Sequence, residues 1–356
     1  MSVVSKMEGK HGDGPVQPLL SILIPTFNRA ECLDFNLSSL VIQIDDSLLN
    51  KIEVIVANNF SSDRTDDILK KYEKYPFLRI IKNNSNVGAD LNFKKLVDQS
   101  CGRFAWLFGD DEVLFENGLK KIMEILTDHP DAGLIHLTYV GHTSLESFNK
   151  KGASSALTPN VFFQSDLFLE KVSLNLSFIT ANIFNRNYIQ SKQATEEFKN
   201  SNLIQQTYYL QAALVANENI LVTDHIFSQL MNNSGGYNLY DIFATNQQKV
   251  FRYFKQFGLK DKTIRKINID MLRMFFPTFI LMERRVFKKN EDSAPQSESA
   301  FLTLYRSFKG YKEFWIFCVP LLLIPVGLRE IFFTFLKRLK SILKKGIFQS
   351  TLKNEI

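Results

Sequence analysis

Short apolar runs alternate with helix-like segments over the first 140 residues, and this alternation constrains the fold of the chain most strongly. The apolar runs have the length of buried strands and lie at residues 19–24, 51–57, 78–82, 104–108 and 133–140. The segments between them carry apolar residues at helical spacing and lie at residues 29–41, 65–75, 89–99 and 119–129. Parallel strands joined through helices need right-handed crossovers, so the pattern predicts an α/β fold with a mostly parallel central sheet covered on both faces.

Polar groups follow four of the predicted strands at the point where each strand ends. They are the segments PTFNR (25–29), NNFSSD (58–63), NSNVGAD (84–90) and GDDE (109–112). Each group alone has a plain explanation as turn and helix-cap chemistry. Because ligands bind beyond the carboxyl ends of parallel strands, four such groups in this order predict a binding site at one edge of the sheet.

The acidic group Asp110-Asp111-Glu112 comes directly after the apolar strand FAWLF and Gly109. Adjacent carboxylates raise one another's pKa and are costly unless a cation shares them. Mg²⁺ or Mn²⁺ is the natural partner, since such an ion takes one or two carboxylates and completes its shell with water and substrate phosphates. The alternative is that these residues form the N-cap and acidic first turn of the helix predicted at residues 119–129.

Five segments of the chain resemble the family 2 glycosyltransferases of the GT-A fold, and within them the abequosyltransferase-like enzymes of O-antigen assembly. The segments are IPTFNRAECL, VANNFSSDRTDDI, NSNVGADLNF, WLFGDDEVL and the later SFITANIFNR. The first four extend over about residues 20–114. This resemblance implies transfer of a sugar from a nucleotide-sugar donor to a saccharide acceptor, with Mn²⁺ or Mg²⁺ on the diphosphate.

The resemblance also implies roles for individual residues. The donor-binding positions are Pro25, Thr26, Asn28, Arg29, Asn58, Asp90, Asp110 and Asp111. The metal falls on Asp111, with Glu112 beside it. Two positions depart from the family pattern: Gly109 stands where the DxD motif has its first Asp, and Asn58 stands where the family usually has an Asp that binds the base.

The catalytic base and the acceptor site are less clearly marked. A base must be a carboxylate or a histidine within hydrogen-bond reach of the acceptor hydroxyl. Many family members supply it from an acidic pair before a helix in the second half, but here the stretch before the helix predicted at 203–215 reads SNLIQQT. Glu197 and His136 are the remaining candidates, and their alternatives are a solvated helix face and a satisfied core histidine. Acceptor contacts are predicted at Ser177, Thr180 and Asn182.

The 356 residues are enough for a catalytic domain and an appendage. We predict a flexible tail at 1–18, a GT-A domain at 19–236, a helical region with a polar linker at 237–300, and an amphipathic basic segment at 301–356. The tail lacks the apolar core of a signal peptide. Three widely spaced cysteines form no metal or disulfide cluster, which suits a reducing compartment, so we expect a cytoplasmic protein.

The last segment predicts contact with an anionic membrane surface. Residues 314–328 are uncharged and apolar, but they contain two prolines and are shorter than the roughly 20 residues of a spanning helix. Residues 329–345 combine apolar and basic positions at helical spacing, with five Lys or Arg and no acid in 337–345. This pattern favours a helix in the plane of the inner face of the cell membrane, where a lipid-linked acceptor would lie. The alternative is a helical pair packed on the core with a solvated basic face.

Other classes of function fit less well. The net charge of +6 does not indicate a nucleic-acid partner, because basic residues are not interleaved with aromatic residues along one run. A nucleotidyltransferase would need an early Gly-rich, Lys-containing phosphate loop, which the sequence lacks. A non-catalytic protein that binds nucleotide-sugars or polysaccharides stays open, since no base is evident and Asn58 and Gly109 depart from the family pattern.

Overall fold

A computed structural model describes residues 17–142, 159–230, 238–287, 297–324 and 328. The predicted tail at 1–18 falls almost wholly outside these residues, and the basic helix at 329–345 falls entirely outside them. The chain divides into two compact units, one formed by residues 1–168 and 175–233 and the other by residues 169–174 and 234–356.

A nine-stranded sheet forms the centre of the first unit. Its strands are β1 (Leu20–Thr26), β2 (Ile52–Asn58), β3 (Leu78–Lys82), β4 (Phe104–Leu107), β5 (Glu112–Leu114), β6 (Ala132–His142), β7 (Pro159–Phe162), β8 (Asn182–Asn185) and β9 (Glu218–Leu230). They lie in the order β3-β2-β1-β4-β8-β6-β9-β5, and β7 pairs with β9. The four strands from β3 to β4 are parallel, as the alternating pattern predicts.

The other half of the sheet is mixed. Strand β8 pairs antiparallel with both β4 and β6, while β6 and β9 are parallel. A short 3₁₀ turn (Ser173–Ser177) precedes β8.

Seven helices belong to the same part of the chain: α1 (Ala30–Val41), α2 (Thr65–Tyr72), α3 (Ala89–Gln99), α4 (Gly118–Asp128), α5 (Ser165–Val172), α6 (Lys192–Glu197) and α7 (Ile204–Val215). Strand β4 is buried at every position, and β1 and β2 are buried at nearly every one. Such strands lie in the middle of the sheet with both faces covered, which explains their unbroken apolar sequences. The carboxyl ends of these three strands therefore open together at one edge.

The second unit is helical. It contains α8 (Gln247–Phe254), α9 (Asp261–Asp270), α10 (Phe276–Phe287), α11 (Ser297–Phe308) and α12 (Val319–Leu323). A turn at Gly258, which has a φ of 101°, separates α8 from α9. Pro277 lies just after the π-helical turn Met271–Phe275, which joins α9 to α10 in one continuous helical run. None of the helices in the described ranges has the length and apolar character needed to cross a bilayer.

Candidate active site

The loop between β4 and β5 carries the acidic group. It is followed by a strand and not by a helix, because Glu112 begins β5 and pairs with Gln229 of β9. Helix α4 begins only at Gly118, after Asn117, and the N–H of Leu119 in its first turn donates to Gln43 Oε1 at 3.1 Å, not to an acidic side chain. The interpretation of the acidic residues as the cap of this helix is therefore wrong.

Arg29 lies between the two aspartates of this loop. Its Nη1 is 3.0 Å from Asp110 Oδ1 and 3.2 Å from Asp111 Oδ2. The exposed side-chain fractions are 30% for Arg29, 5% for Asp110 and 12% for Asp111, so the cluster opens to solvent on the side of Arg29 and Asp111. Burial, together with the charge of Asp111, raises the pKa of Asp110 to about 6, although the charge of Arg29 acts in the opposite direction.

Buried side chains hold the acidic loop from beneath. Asn36 on α1 donates through Nδ2 to the carbonyl oxygens of Gly109 at 2.9 Å and Glu112 at 2.7 Å. The Gly109 N–H donates to Thr180 Oγ1 at 2.9 Å, and the Thr180 hydroxyl donates to Glu112 Oε2 at 3.0 Å. Since Glu112 is buried, its pKa lies well above the ordinary value, chiefly through loss of solvation.

Gly109 cannot carry a side chain in this arrangement. A Cβ on this residue would overlap the carboxylate of Glu112. The departure from the family pattern at Gly109 therefore has a steric cause: the position of the first motif aspartate is next to an inward-facing glutamate.

The ends of β1 and β2 form the next part of the site. Pro25 and Thr26 pair in register with Ala57 and Asn58, so both polar segments begin at the same level of the sheet. Thr26 and Asn58 are buried. The side chain of Asn58 accepts the N–H of Ser61 at 2.9 Å and donates to Asp66 Oδ1 at 2.8 Å.

Asn28 ties the first loop to the second. Its backbone is left-handed, with a φ of 53°, and its side chain accepts the N–H of Ser62 at 2.8 Å. The Asn28 N–H in turn donates to Ser61 Oγ at 2.9 Å. The two loops are therefore one hydrogen-bonded surface.

Two aromatic side chains project from these loops. Phe27 and Phe60 are both exposed, and Phe60 has a φ of 65°, which is unusual for a bulky residue. Exposed aromatic residues beside hydrogen-bonding loops offer flat surfaces to a planar ligand. They stand within predicted motifs, but their exposure is visible only in the structure.

Asp90 is placed differently from the other predicted donor residues. It is buried, and its carboxylate accepts the N–H of Asn202 at 2.7 Å and of Ile204 at 3.4 Å, at the start of α7. Burial raises its pKa to about 6. In this structure Asp90 therefore joins the first turn of α3 to the start of α7.

The two candidate bases lie in contrasting environments. Glu197 is exposed at the end of the short helix α6. His136 is buried in β6, with Nδ1 2.9 Å from Asn182 Oδ1, and burial lowers its pKa to about 4. These surroundings match the alternatives of a solvated helix face and a core histidine.

The three predicted acceptor residues make different contacts. Asn182 is fully buried, and its Nδ2 donates to the carbonyl of Phe178 at 2.7 Å. The carbonyl of Ser177 accepts from Gln205 Nε2 at 3.0 Å. Thr180 is the member of this set that contacts the acidic loop.

Asn36 is a residue of the site that the sequence pattern does not single out. The available signal is an amide on the apolar face of α1, next to Leu37 and one turn from Leu33 and Leu40. A polar group on a buried face must find a partner, and here its partners are the carbonyls of the acidic loop.

Comparison with known proteins assigns this region of the chain. Residues 21–190 match the family described as glycosyl transferase family 2. These residues form a family 2 glycosyltransferase domain.

Two curated relatives of the glycosyltransferase domain come from bacteria. Abequosyltransferase RfbV of Salmonella typhimurium is 34% identical over 115 residues, which are 32% of this chain and 34% of that protein. The GalNAc(5)-diNAcBac-PP-undecaprenol beta-1,3-glucosyltransferase of Campylobacter jejuni is 25% identical over 186 residues, which are 51% of this chain and 56% of that protein. The matches thus span between a third and somewhat more than half of these relatives.

Solved structures agree on the fold. S. aureus TarS 1–349 in complex with UDP-GlcNAc is similar over 83% of this chain and 91% of its own length, with a TM-score of 0.56 and 14% identity. The mannosyltransferase PcManGT of Pyrobaculum calidifontis, in complex with GDP-Man and Mn²⁺, is similar over 86% of this chain and 85% of its own, with a TM-score of 0.51 and 13% identity. The predicted GT-A fold is confirmed.

Proposed function

We propose that this chain transfers a sugar from a nucleotide-sugar to a saccharide acceptor in the assembly of a surface polysaccharide. The observation that carries this proposal is the pair Asp110 and Asp111 at the carboxyl edge of the sheet, held by Arg29 and not used to cap α4. The glycosyltransferase domain of residues 21–190 supports it. So does the hydrogen-bonded surface that the first two loops form beside this cluster.

The donor diphosphate needs positive charge at this edge, since carboxylates alone would repel it. Arg29 supplies one such charge and is partly exposed. A Mn²⁺ or Mg²⁺ ion, when bound, would neutralise the charge that develops on the departing nucleoside diphosphate. The mannosyltransferase PcManGT was solved in complex with Mn²⁺, which is consistent with this chemistry in a protein of the same fold.

The residues present fit an ion held by few protein ligands. Within the described ranges no three His, Cys, Asp or Glu side chains form a ready cluster, as expected where one or two carboxylates, water and phosphate complete the shell. Asp111 is the more exposed of the two aspartates, and we assign the ion to it. Glu112 would first have to give up its contact with Thr180 inside the protein, so we assign it a supporting role.

The nucleobase site is proposed at the ends of β1 and β2. Exposed Phe27 and Phe60 provide stacking surfaces, and Asn58 stands where the family has a base-binding aspartate. An amide can both donate and accept, whereas an ionised carboxylate only accepts. Asn58 is therefore compatible with a base that presents a hydrogen-bond acceptor on the edge that faces this residue.

The acceptor is proposed to be a saccharide on a lipid carrier. The name of the Campylobacter relative contains a diphospho-undecaprenol acceptor, and that of the Salmonella relative an abequosyl group. A lipid carrier places the reaction at a membrane, so we propose peripheral association with its cytoplasmic face.

The test combines ligand binding with turnover. Thermal shifts would be measured for UDP-, GDP-, CDP- and dTDP-sugars with and without Mn²⁺, because a ligand at 100 times its Kd stabilises the folded state by about 2.7 kcal/mol. For the donor that binds, turnover would then be measured as release of nucleoside diphosphate when its sugar is transferred to lipid-linked acceptors. We expect Asp111→Asn to abolish the Mn²⁺-dependent shift and the turnover, and the exposed Asp67→Asn to change neither.

Two results would contradict the proposal. Cation-dependent binding and turnover that survive Asp111→Asn would remove the assigned ion site. Donor binding without release of nucleoside diphosphate in the presence of any acceptor would instead indicate a binding protein.

A further inference from the structure

The helix at residues 314–323 of the second unit is apolar around its whole circumference. It consists of a π-helical turn (Phe314–Cys318) followed by α12, and the run from Phe314 to Leu328 contains no charged residue. Phe314, Cys318 and Leu321 are buried, at the i, i+4, i+7 spacing of one helix face. An all-apolar helix is normally buried on every side, so the opposite face calls for an explanation.

That opposite face is exposed. Trp315, Ile316, Phe317 and Leu323 expose 47%, 58%, 40% and 72% of their surface. Ile316 and Leu323, with Pro320 between them, repeat the i, i+4, i+7 spacing on the solvent side. A contiguous patch of large apolar side chains on a folded protein marks an interaction surface. We name the set Trp315, Ile316, Phe317, Pro320 and Leu323 the apolar face.

Trp315 is held in a fixed position at the start of this face. Its indole Nε1 donates to the carbonyl of Lys309 at 2.9 Å, and its ring meets that of Tyr305 edge-on at 6.1 Å between centroids. A tryptophan with its N–H satisfied and its ring exposed is suited to the boundary between water and lipid.

Basic side chains lie just before the apolar face in the chain. Arg306, Lys309 and Lys312 are all exposed, whereas the neighbouring Glu313 is buried and pairs with Arg273 at 3.0 Å. The chain continues beyond the face into residues 337–345, which carry five basic residues and no acid. Positive charge therefore flanks the apolar face on both sides along the sequence, which complements an anionic lipid surface.

We infer that the apolar face inserts into the boundary between headgroups and acyl chains of an anionic phospholipid membrane, with Arg306, Lys309 and Lys312 at the headgroups. This inference rests on the membrane association in the proposed function and deepens it by naming the surface that carries it. Apolar side chains beside basic ones favour lipid, because a protein partner would have to match both a convex apolar ridge and a one-signed charge pattern.

The experiment uses the full chain and its own fluorescence. The chain has two tryptophans, and Trp106 is fully buried in β4, so quenching by brominated lipids reports on Trp315. We expect quenching with brominated vesicles that contain phosphatidylglycerol and much less with vesicles of phosphatidylcholine alone. Trp315→Phe should remove most of the quenchable signal while the protein still floats with the vesicles.

Ile316→Asp is the decisive variant, and Ile42→Asp is its matched control. Ile42 is 75% exposed at the end of α1 in the first unit. We expect Ile316→Asp to lower the partition coefficient onto anionic vesicles about tenfold. Ile42→Asp should bind them like the unaltered chain.

Three outcomes would overturn the inference: no quenching by brominated lipid, equal binding by Ile316→Asp, or a lipid-independent dimer that dissociates in Ile316→Asp. The last would show that a second copy of the chain covers the face. Transfer of the sugar to a soluble saccharide, followed through the nucleoside diphosphate released, would be measured on the same samples. If that activity persists while lipid binding fails, glycosyl transfer stands and the membrane surface alone is refuted.

Discussion

Arg29 contacts Asp110 and Asp111 through one nitrogen, Nη1, at 3.0 Å and 3.2 Å. One cation thus contacts two carboxylates, one of which, Asp111, is the proposed ligand of the divalent ion. Without ligand, the positive charge of the Arg29 guanidinium offsets the repulsion between the two carboxylates. If the proposed ion and donor bind here, Arg29 would share the carboxylates with the ion or turn toward the diphosphate.

We therefore expect Arg29→Gln to separate metal affinity from donor affinity. Without donor, Mn²⁺ should bind about tenfold more tightly, since removal of a unit charge a few ångströms away is worth roughly 1–2 kcal/mol after screening. Donor affinity should fall, because the diphosphate loses a positive partner. Titration of free Mn²⁺ by electron paramagnetic resonance measures the first effect, and calorimetry with the donor measures the second.

The control for this variant is Arg79→Gln. Arg79 is a half-exposed arginine on β3, 3.9 Å from Glu53, and it has no part in the acidic cluster. Arg79→Gln should leave the affinities for Mn²⁺ and for the donor unchanged. Unaltered or weaker Mn²⁺ binding by Arg29→Gln would contradict the role of Arg29 as a competing cation.

Gly109→Ala should destabilise the protein by about 1–3 kcal/mol, because the new methyl group displaces the buried carboxyl of Glu112 from Thr180. Urea denaturation measures this change in the free energy of unfolding. Gly310→Ala is the matched control, since a Cβ there meets no neighbouring atom. Equal stability of the two variants would show that Glu112 can move without cost.

Local pattern was enough to predict the first half of the fold. The alternation of apolar runs and helices predicts β1 to β4 and the edge at which their polar loops lie, and the GT-A fold is confirmed. Strand β5 is not predictable in this way, because it has three residues and begins with a charged one, Glu112. Only its pairing with β9, more than 100 residues later in the chain, makes it a strand.

The contacts around the site also depend on distant parts of the chain. Asn36 and Thr180 reach the acidic loop from 73 and 71 residues away, measured to Gly109. Asp90 reaches Asn202, just before α7, over 112 residues, and Ile204, the first residue of α7, over 114. No local spacing encodes such partners, so the sequence predicts which residues carry chemistry better than it predicts what holds them.

His136 should make the folded protein sensitive to acid. Its pKa is about 4 in the folded state and near 6.5 in an unfolded chain, so the stability it contributes is complete above pH 6.5 and is lost as pH falls toward 4. Over that range the unaltered chain should lose on the order of 3 kcal/mol relative to His136→Asn. Urea denaturation at several pH values measures the difference, and the exposed His225→Asn should follow the unaltered chain. A difference that stays constant from pH 7 to 4 would place the histidine outside the core.

Asp90 should act with the opposite sign. Burial raises its folded-state pKa to about 6, against roughly 3.9 in an unfolded chain, so its contribution is complete below about pH 4 and is lost as pH rises through 6. The unaltered chain should therefore lose on the order of 2–3 kcal/mol relative to Asp90→Asn between pH 4 and pH 7. The exposed Asp67→Asn, measured by the same urea titrations, should show no such trend. If the unaltered chain instead gains stability relative to Asp90→Asn as pH rises, the ionised carboxylate stabilises the contact with α7. Burial would then not be what sets the pKa of Asp90.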